Sequence, residues 1–218
     1  MRYKMKTVFL ISILSLLSLS SLAQFGFEAD TTEVELIRFE FPNTDSVQFE
    51  LRLWTNTEIF SGYTQLTYSE DKWSYRAGFL DRNGRLKEFS RIEKNPNLEE
   101  LWNRIDSLGI LTLQSQRIVG VKIESKKGRV YRLPEEDFEN MMGLHRTMYT
   151  AELFSDSGYR TYYYFNPLKL SEDFKKSKQK WIAPEHHRFA EIIKSMNDTL
   201  NLNEGFREFI QEWNKDRW

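Results

Sequence analysis

Three imidazoles, His145, His186 and His187, bound the metal and acid–base chemistry open to this chain, because it has no cysteine to add thiolates. Adjacent residues on a helix point about 100° apart, so His186 and His187 cannot grip one ion. His187 and Glu191 do have the i, i+4 spacing, yet they lack a third ligand; the pair of histidines reads instead as an exposed first turn of a helix. Neither Gly-x-Ser-x-Gly nor His-Glu-x-x-His occurs, so a serine triad would have to rest on one of these histidines, and His145 is the one to consider as its base. Asp81-x-Asn83-Gly84 has the start of a calcium loop, but such a loop needs glycine at its sixth position and glutamate at its twelfth. Gly84 falls at the fourth and Ile92 at the twelfth, so a hairpin turn is expected there. Phosphate-cradling loops need glycines one to a few residues apart, and the closest pair here is Gly78 and Gly84. No cofactor and no metal are expected. Two carboxylates suffice for glycoside hydrolysis, but among 32 acidic residues sequence singles out no pair.

The segment Tyr159-Arg160-Thr161-Tyr162-Tyr163-Tyr164-Phe165 is the most suggestive. Period two sends Tyr159, Thr161, Tyr163 and Phe165 to one face of a strand and Arg160, Tyr162 and Tyr164 to the other. One aromatic face belongs to a core; a second calls for a partner. Either helices carrying Ile192 and Phe209 cover it, or Arg160, Tyr162 and Tyr164 form an exposed platform that stacks on a sugar or anchors a protein. Lys169, Lys175, Lys176, Lys178 and Lys180, with Glu172 and Asp173 among them, read as a solvated loop ahead of Trp181.

The elements that would position these groups follow from periodicity. Val34 to Phe41 alternates with one slip, as a bulged strand does. Val47, Phe49, Leu51 and Leu53 alternate with Gln48, Glu50 and Arg52, predicting a strand with one core face and one wet face. Tyr63 to Tyr68 and Trp73 to Leu80 flank a Ser69-Glu70-Asp71-Lys72 turn, and after Asn83-Gly84 a weaker strand runs from Arg85 to Lys94. Asn97 and Glu100 form an N-cap pair before Leu98, Leu101, Trp102, Ile105 and Leu108, whose spacing puts them on one helical face, with Gly109 at the C-cap. Hairpins are expected over Val119 to Leu133 and Met148 to Phe165, with a short helix over Pro134 to Met142. Two helices close the chain, one with Phe189, Ile192, Ile193 and Met196, the next with Phe206, Phe209, Ile210 and Trp213. Hairpin-linked strands with interspersed helices predict an α+β class, an antiparallel sheet of about six to nine strands packed by two or three helices. Its expected core is Phe49, Leu51, Leu53, Trp73, Phe79, Leu101, Trp102, Ile105, Tyr163, Ile192, Phe209 and Trp213.

Residues 1–23 carry basic residues, an apolar run from Val8 to Leu19 and small residues at Ser21 and Ala23, the three parts of a cleavable secretory signal. The run is too short for a stable membrane span, and no later segment is long enough, so no transmembrane segment is expected after cleavage. Residues 24–32 read as a flexible arm and 33–218 as a single domain. Loss of Arg2, Lys4 and Lys6 reduces the 31 basic residues to 28 against 32 acidic, a net charge of −4. No basic surplus remains for a nucleic-acid backbone, so no nucleic-acid partner is expected. The final Trp213 to Trp218 does not alternate as a barrel strand would.

The sequence thus points to an exported protein of the periplasm or extracellular space. Its expected role is a non-catalytic module binding an envelope protein or glycan, through Arg160, Tyr162 and Tyr164. The alternatives are a carboxylate-dependent hydrolase of envelope or extracellular polymer, which needs a cleft holding two Asp or Glu residues, and a purely structural subunit bearing a large exposed apolar patch.

Overall fold

The computed structural model describes residue 25 and residues 46–57, 60–81, 84–120, 122–124, 127–134, 147–156, 158–176, 180–182 and 184–215. In chain order the strands are β1 (Phe49–Asn56), β2 (Ser61–Ser69), β3 (Lys72–Leu80), β4 (Leu86–Glu88), β5 (Lys122–Glu124), β6 (Val130–Arg132), β7 (Met148–Ser155), β8 (Gly158–Phe165) and β9 (Lys180–Ile182). The helices are α1 (Leu98–Ser107), the single turn α2 (Gln116–Val119), α3 (Pro167–Lys176), α4 (Pro184–Leu200) and α5 (Leu202–Lys215). Six strands form one antiparallel sheet in the order β4-β3-β2-β1-β7-β8, and β6-β5-β9 form a second. The class is α+β, as the periodicity requires.

Register explains the core. Phe49 lies opposite Tyr68, which lies opposite Trp73, and Leu51, Leu66 and Tyr75 make the next row on the same face. Across β1 the same face continues through Leu153 and Ala151 to Arg160 and Tyr162 on β8. Helices α1 and α4 cover this face with Leu101, Trp102, Ile105, Phe189, Ile192 and Met196, all buried. A smaller cluster of Phe60, Phe79 and Phe209 lies under α5.

Helix α1 begins and ends as its sequence dictates. The Asn97 side chain accepts from the Glu100 backbone N–H at 3.1 Å and donates to the Glu100 carboxylate at 3.0 Å, so both members of the cap are used. At the other end Gly109, at φ +82°, donates to Asp106 O at 2.7 Å while Ile110 N–H reaches Ile105 O at 3.3 Å. That is the six-to-one and five-to-two pattern by which a left-handed glycine ends a helix.

Several expectations are corrected. The face of β1 read as wet is buried, Glu50 to 2% and Arg52 to 4% exposure. The charges tolerate this because they neutralise each other: Arg52 Nε donates to Glu50 at 2.5 Å, and its guanidinium lies 4.6 Å from the centre of the Phe154 ring. Trp54 Nε1 donates to Glu152 at 2.9 Å on the same face. Only Leu86–Glu88 of the Arg85 to Lys94 segment is strand. Residues 116–119 are helical before the β5–β6 hairpin, and Pro167–Lys176 is helix where a loop was expected. Tyr163 is half-buried, on the face away from the helices. The strand expected at 34–41, the helix expected at 134–142 beyond Pro134, and the Trp213 side chain lie outside the described residues. No helix among the described residues is long and apolar enough to cross a membrane.

Candidate functional site

Arg160, Tyr162 and Tyr164 do lie on one face of β8, but that face is covered. Their exposures are 9%, 1% and 0%. The Tyr164 ring stacks on Phe189 of α4 at 4.5 Å between centres, and Tyr162 meets the same ring edge-on at 5.8 Å. Their polar heads turn to the segment that follows α1. Tyr162 OH donates to Ile110 O at 3.0 Å, Arg160 Nη1 to Leu111 O at 2.8 Å, Arg160 Nη2 to Leu113 O and Tyr164 OH to Gln114 O. Backbone N–H groups of the same strand reach Ser115 Oγ and Gln116 Oε1, the latter at 2.7 Å. Residues 110–116 therefore close the outer edge of the sheet, and the exposed platform is corrected to an internal clamp. Burial drives the hydroxyl of Tyr162 well above its ordinary pKa and raises that of Tyr164, so both remain donors.

The histidines are separated by their surroundings. His186 is fully buried, not exposed, with its ring edge-on to Tyr164 at 5.0 Å. Burial, with the neighbouring His187 adding to it, lowers its pKa to about 4. His187 Nδ1 lies 2.8 Å from Ser171 Oγ, while Glu191 accepts from Lys194 at 2.8 Å, so each member of the His187–Glu191 pair is engaged elsewhere. His145 lies outside the described residues. The Asp81 turn is a hairpin turn: Gly84, at φ +73°, donates to Asp81 O at 2.9 Å. No group of three potential ligands able to hold a metal occurs among the described residues.

What periodicity could not reveal is a cleft of about 260 Å³ between the sheet and the C-terminal helices. Leu53 and Thr55 of β1 and Gly62 of β2 form its floor; Ile193 and Asn197 of α4 and Leu202, Asn203 and Phe206 of α5 form one wall. Phe60 holds the corner, its ring 4.7 Å from Phe206 and 5.1 Å from Phe209. Phe206 is 38% exposed, so an aromatic edge stands at the mouth. Gly62 keeps the floor low, since a Cβ there would sit 3.2 Å from the Phe60 ring. Tyr149, whose hydroxyl burial pushes up to about 12, also lines the space and stays a neutral donor. The described lining includes no Asp, Glu, His or Ser. The cleft can enclose an apolar group and offer it a few amide and hydroxyl contacts; among the described lining residues the ionisable side chains are the tyrosines Tyr63 and Tyr149.

No family model, curated protein or solved structure matches this chain.

Proposed function

We propose that this chain is an exported, non-catalytic envelope protein that binds a protein partner by taking one large apolar side chain into the cleft between the sheet and helices α4 and α5. The observation that carries this reading is the lining of that cleft, which is rich in carbon and, among the described residues, holds no carboxylate or imidazole. An apolar cavity of about 150 Å³ is enough to hold benzene; a volume of about 260 Å³ suits an indole or phenol ring, and falls below the range usual for larger ligands. The polar groups of the lining, Asn197, Asn203, Tyr63, Tyr149, Thr55, Thr64 and Thr147, are outweighed by its carbon surface, whereas a sugar needs a predominantly polar, hydrogen-bonding site. Export rests on the composition of residues 1–23. The competing hydrolase needs two available carboxylates in a cleft; Glu50 and Glu152 share the far face of the sheet, but they are held by Arg52 and Trp54.

The test uses side-chain analogues on the mature chain. Indole and p-cresol should bind saturably by calorimetry, and Asn203→Trp, which fills the mouth from an exposed helical position, should abolish that binding with folding intact. Binding of a monosaccharide in preference to both would move the assignment to a glycan. Binding of none of them would overturn the reading. Export is checked by the intact mass from the envelope fraction, expected to begin at Gln24.

A further inference from the structure

The cleft differs from one side to the other. In the sheet order β4-β3-β2-β1-β7-β8 its aromatic carbon lies toward β2 and β3. Phe60 and Phe206 stand there with ring centres 4.7 Å apart, and Phe89 lies so close to α5 that a Cβ on Gly205 would fall 2.5 Å from its ring. Hydrogen-bonding side chains lie toward β7. Thr55 is the register partner of Tyr149 across β1 and β7, and Thr147, two residues before Tyr149, shares its face. Reciprocal bonds fix Thr147: its N–H donates to Asn166 Oδ1 at 2.7 Å, and its carbonyl accepts from Asn166 N–H at 2.7 Å. On α4, Asn197 follows Ile193 by one turn and Phe189 by two, and the Phe189 ring meets Tyr149 edge-on at 6.4 Å. Strands β2 and β7 are two spacings apart, about 10 Å, so a single ring with a polar substituent can touch both sides.

The polar side chains toward β7 have capacity to spare. Tyr162 and Tyr164 spend their hydroxyls on carbonyls of the segment after α1. By contrast, the side chains of Thr55, Thr147, Tyr149 and Asn197 make no hydrogen bond among the described residues. Toward β2 the polar exceptions are Thr64, buried beside Leu53, and Tyr63, whose hydroxyl donates to Gln65. Granted that the cleft takes one apolar side chain of a protein partner, we propose that this side chain is a tyrosine. Its ring lies against Phe60, Phe89 and Phe206, and its hydroxyl meets the group of Tyr149, Asn197, Thr55 and Thr147. Hydroxyls and amides both donate and accept, and a phenol hydroxyl answers them in both senses. An indole N–H can only donate. A phenylalanine would strip water from all four groups and return no hydrogen bond.

Calorimetry on the mature chain compares p-cresol with toluene, the same ring without the hydroxyl. p-Cresol should bind about tenfold more tightly, the effect of roughly one hydrogen bond. In a cleft that offers carbon alone the order reverses, because the phenol gives up water and gains no partner. That reversed order overturns the tyrosine and leaves the apolar anchor standing, whereas failure of p-cresol, toluene and indole alike overturns the anchor itself. Within Tyr149→Phe, and again within Asn197→Leu, the ratio of the two affinities should fall from about ten toward one. A ratio that keeps its wild-type value in both variants overturns the assignment. Because the ratio is read inside each protein, a general change of the cleft does not imitate the effect, and a variant that binds neither ligand is replaced by Thr55→Val. N-Acetyltyrosinamide carries the phenol on a peptide backbone and should bind as p-cresol does. Its exclusion from a cleft that still takes p-cresol would assign the site to a small free phenol and overturn the protein tyrosine.

Discussion

Changing Tyr162 to Phe removes one hydroxyl whose whole task is to satisfy the carbonyl of Ile110. A buried acceptor left unpaired costs about 1 to 3 kcal/mol, and the urea midpoint of Tyr162→Phe should fall accordingly with no change in the denaturant slope. Because burial raises the hydroxyls of Tyr149, Tyr162 and Tyr164 above the unfolded value of 10.0, their contribution is complete below pH 10 and is lost as the pH climbs beyond it. Base unfolding should therefore begin near pH 10, measured by circular dichroism. His186 has the opposite sign. Its native pKa is depressed from 6.5 to about 4, so its contribution is full above the unfolded value and fades as the pH falls from 6.5 toward 4. The shift corresponds to about 3 kcal/mol. His186→Phe should flatten that part of the stability profile relative to wild type, and an equal acid slope in both proteins would refute the assignment. Sequence revealed that Arg160, Tyr162 and Tyr164 share a face, since alternation fixes that much. It could not reveal that the partners of that face are backbone carbonyls of residues 110–114, because a carbonyl carries no residue identity.

Helix α1 was the most legible element, since its start, its face and its stop are all written in side chains and one glycine. Trp102→Ala should cost about 3 to 5 kcal/mol by chemical denaturation, as Trp102 is buried against Phe49 and Trp73. The β2–β3 hairpin was legible in position but not in cost. Glu70 and Asp71 stand at φ +49° and +59°, the left-handed region where a side chain costs about 1 to 2 kcal/mol and where tight hairpins favour Asn-Gly. Asp71→Gly should raise the melting temperature by several degrees; a decrease would mean that the Asp71 contact with the Tyr68 hydroxyl, at 3.5 Å, outweighs the backbone strain. Strand β1 misled in one respect. Alternating Glu50 and Arg52 reads as a solvated face, and only a Phe, a Trp and the opposite charge brought in from β7 and β1 itself make that face an interior one. Short elements such as β4, β5 and β9 have too few residues for periodicity to register.

Across the molecule, helix faces and strand faces agreed because one sheet face supplies most of the core. The cleft escaped sequence reading because its walls come from residues 53 to 206, and an empty volume has no residue signature. Its floor depends on Gly62, and Gly62→Val should abolish indole binding by calorimetry while the Tyr162 clamp persists. The strand order carries a consequence in time. β1 is an interior strand, paired on one side by β2 only a few residues later and on the other by β7, with 91 residues between Asn56 and Met148. A chain delivered from its N-terminus at about 5 to 20 residues per second would present one unpaired edge of β1 for about 5 to 20 s before its proper neighbour arrives. During that interval the half-built sheet is a template for any extended chain nearby. The mature fold is thus safest when its last third is never withheld, and stalled or truncated copies ending before residue 148 should be the ones that aggregate.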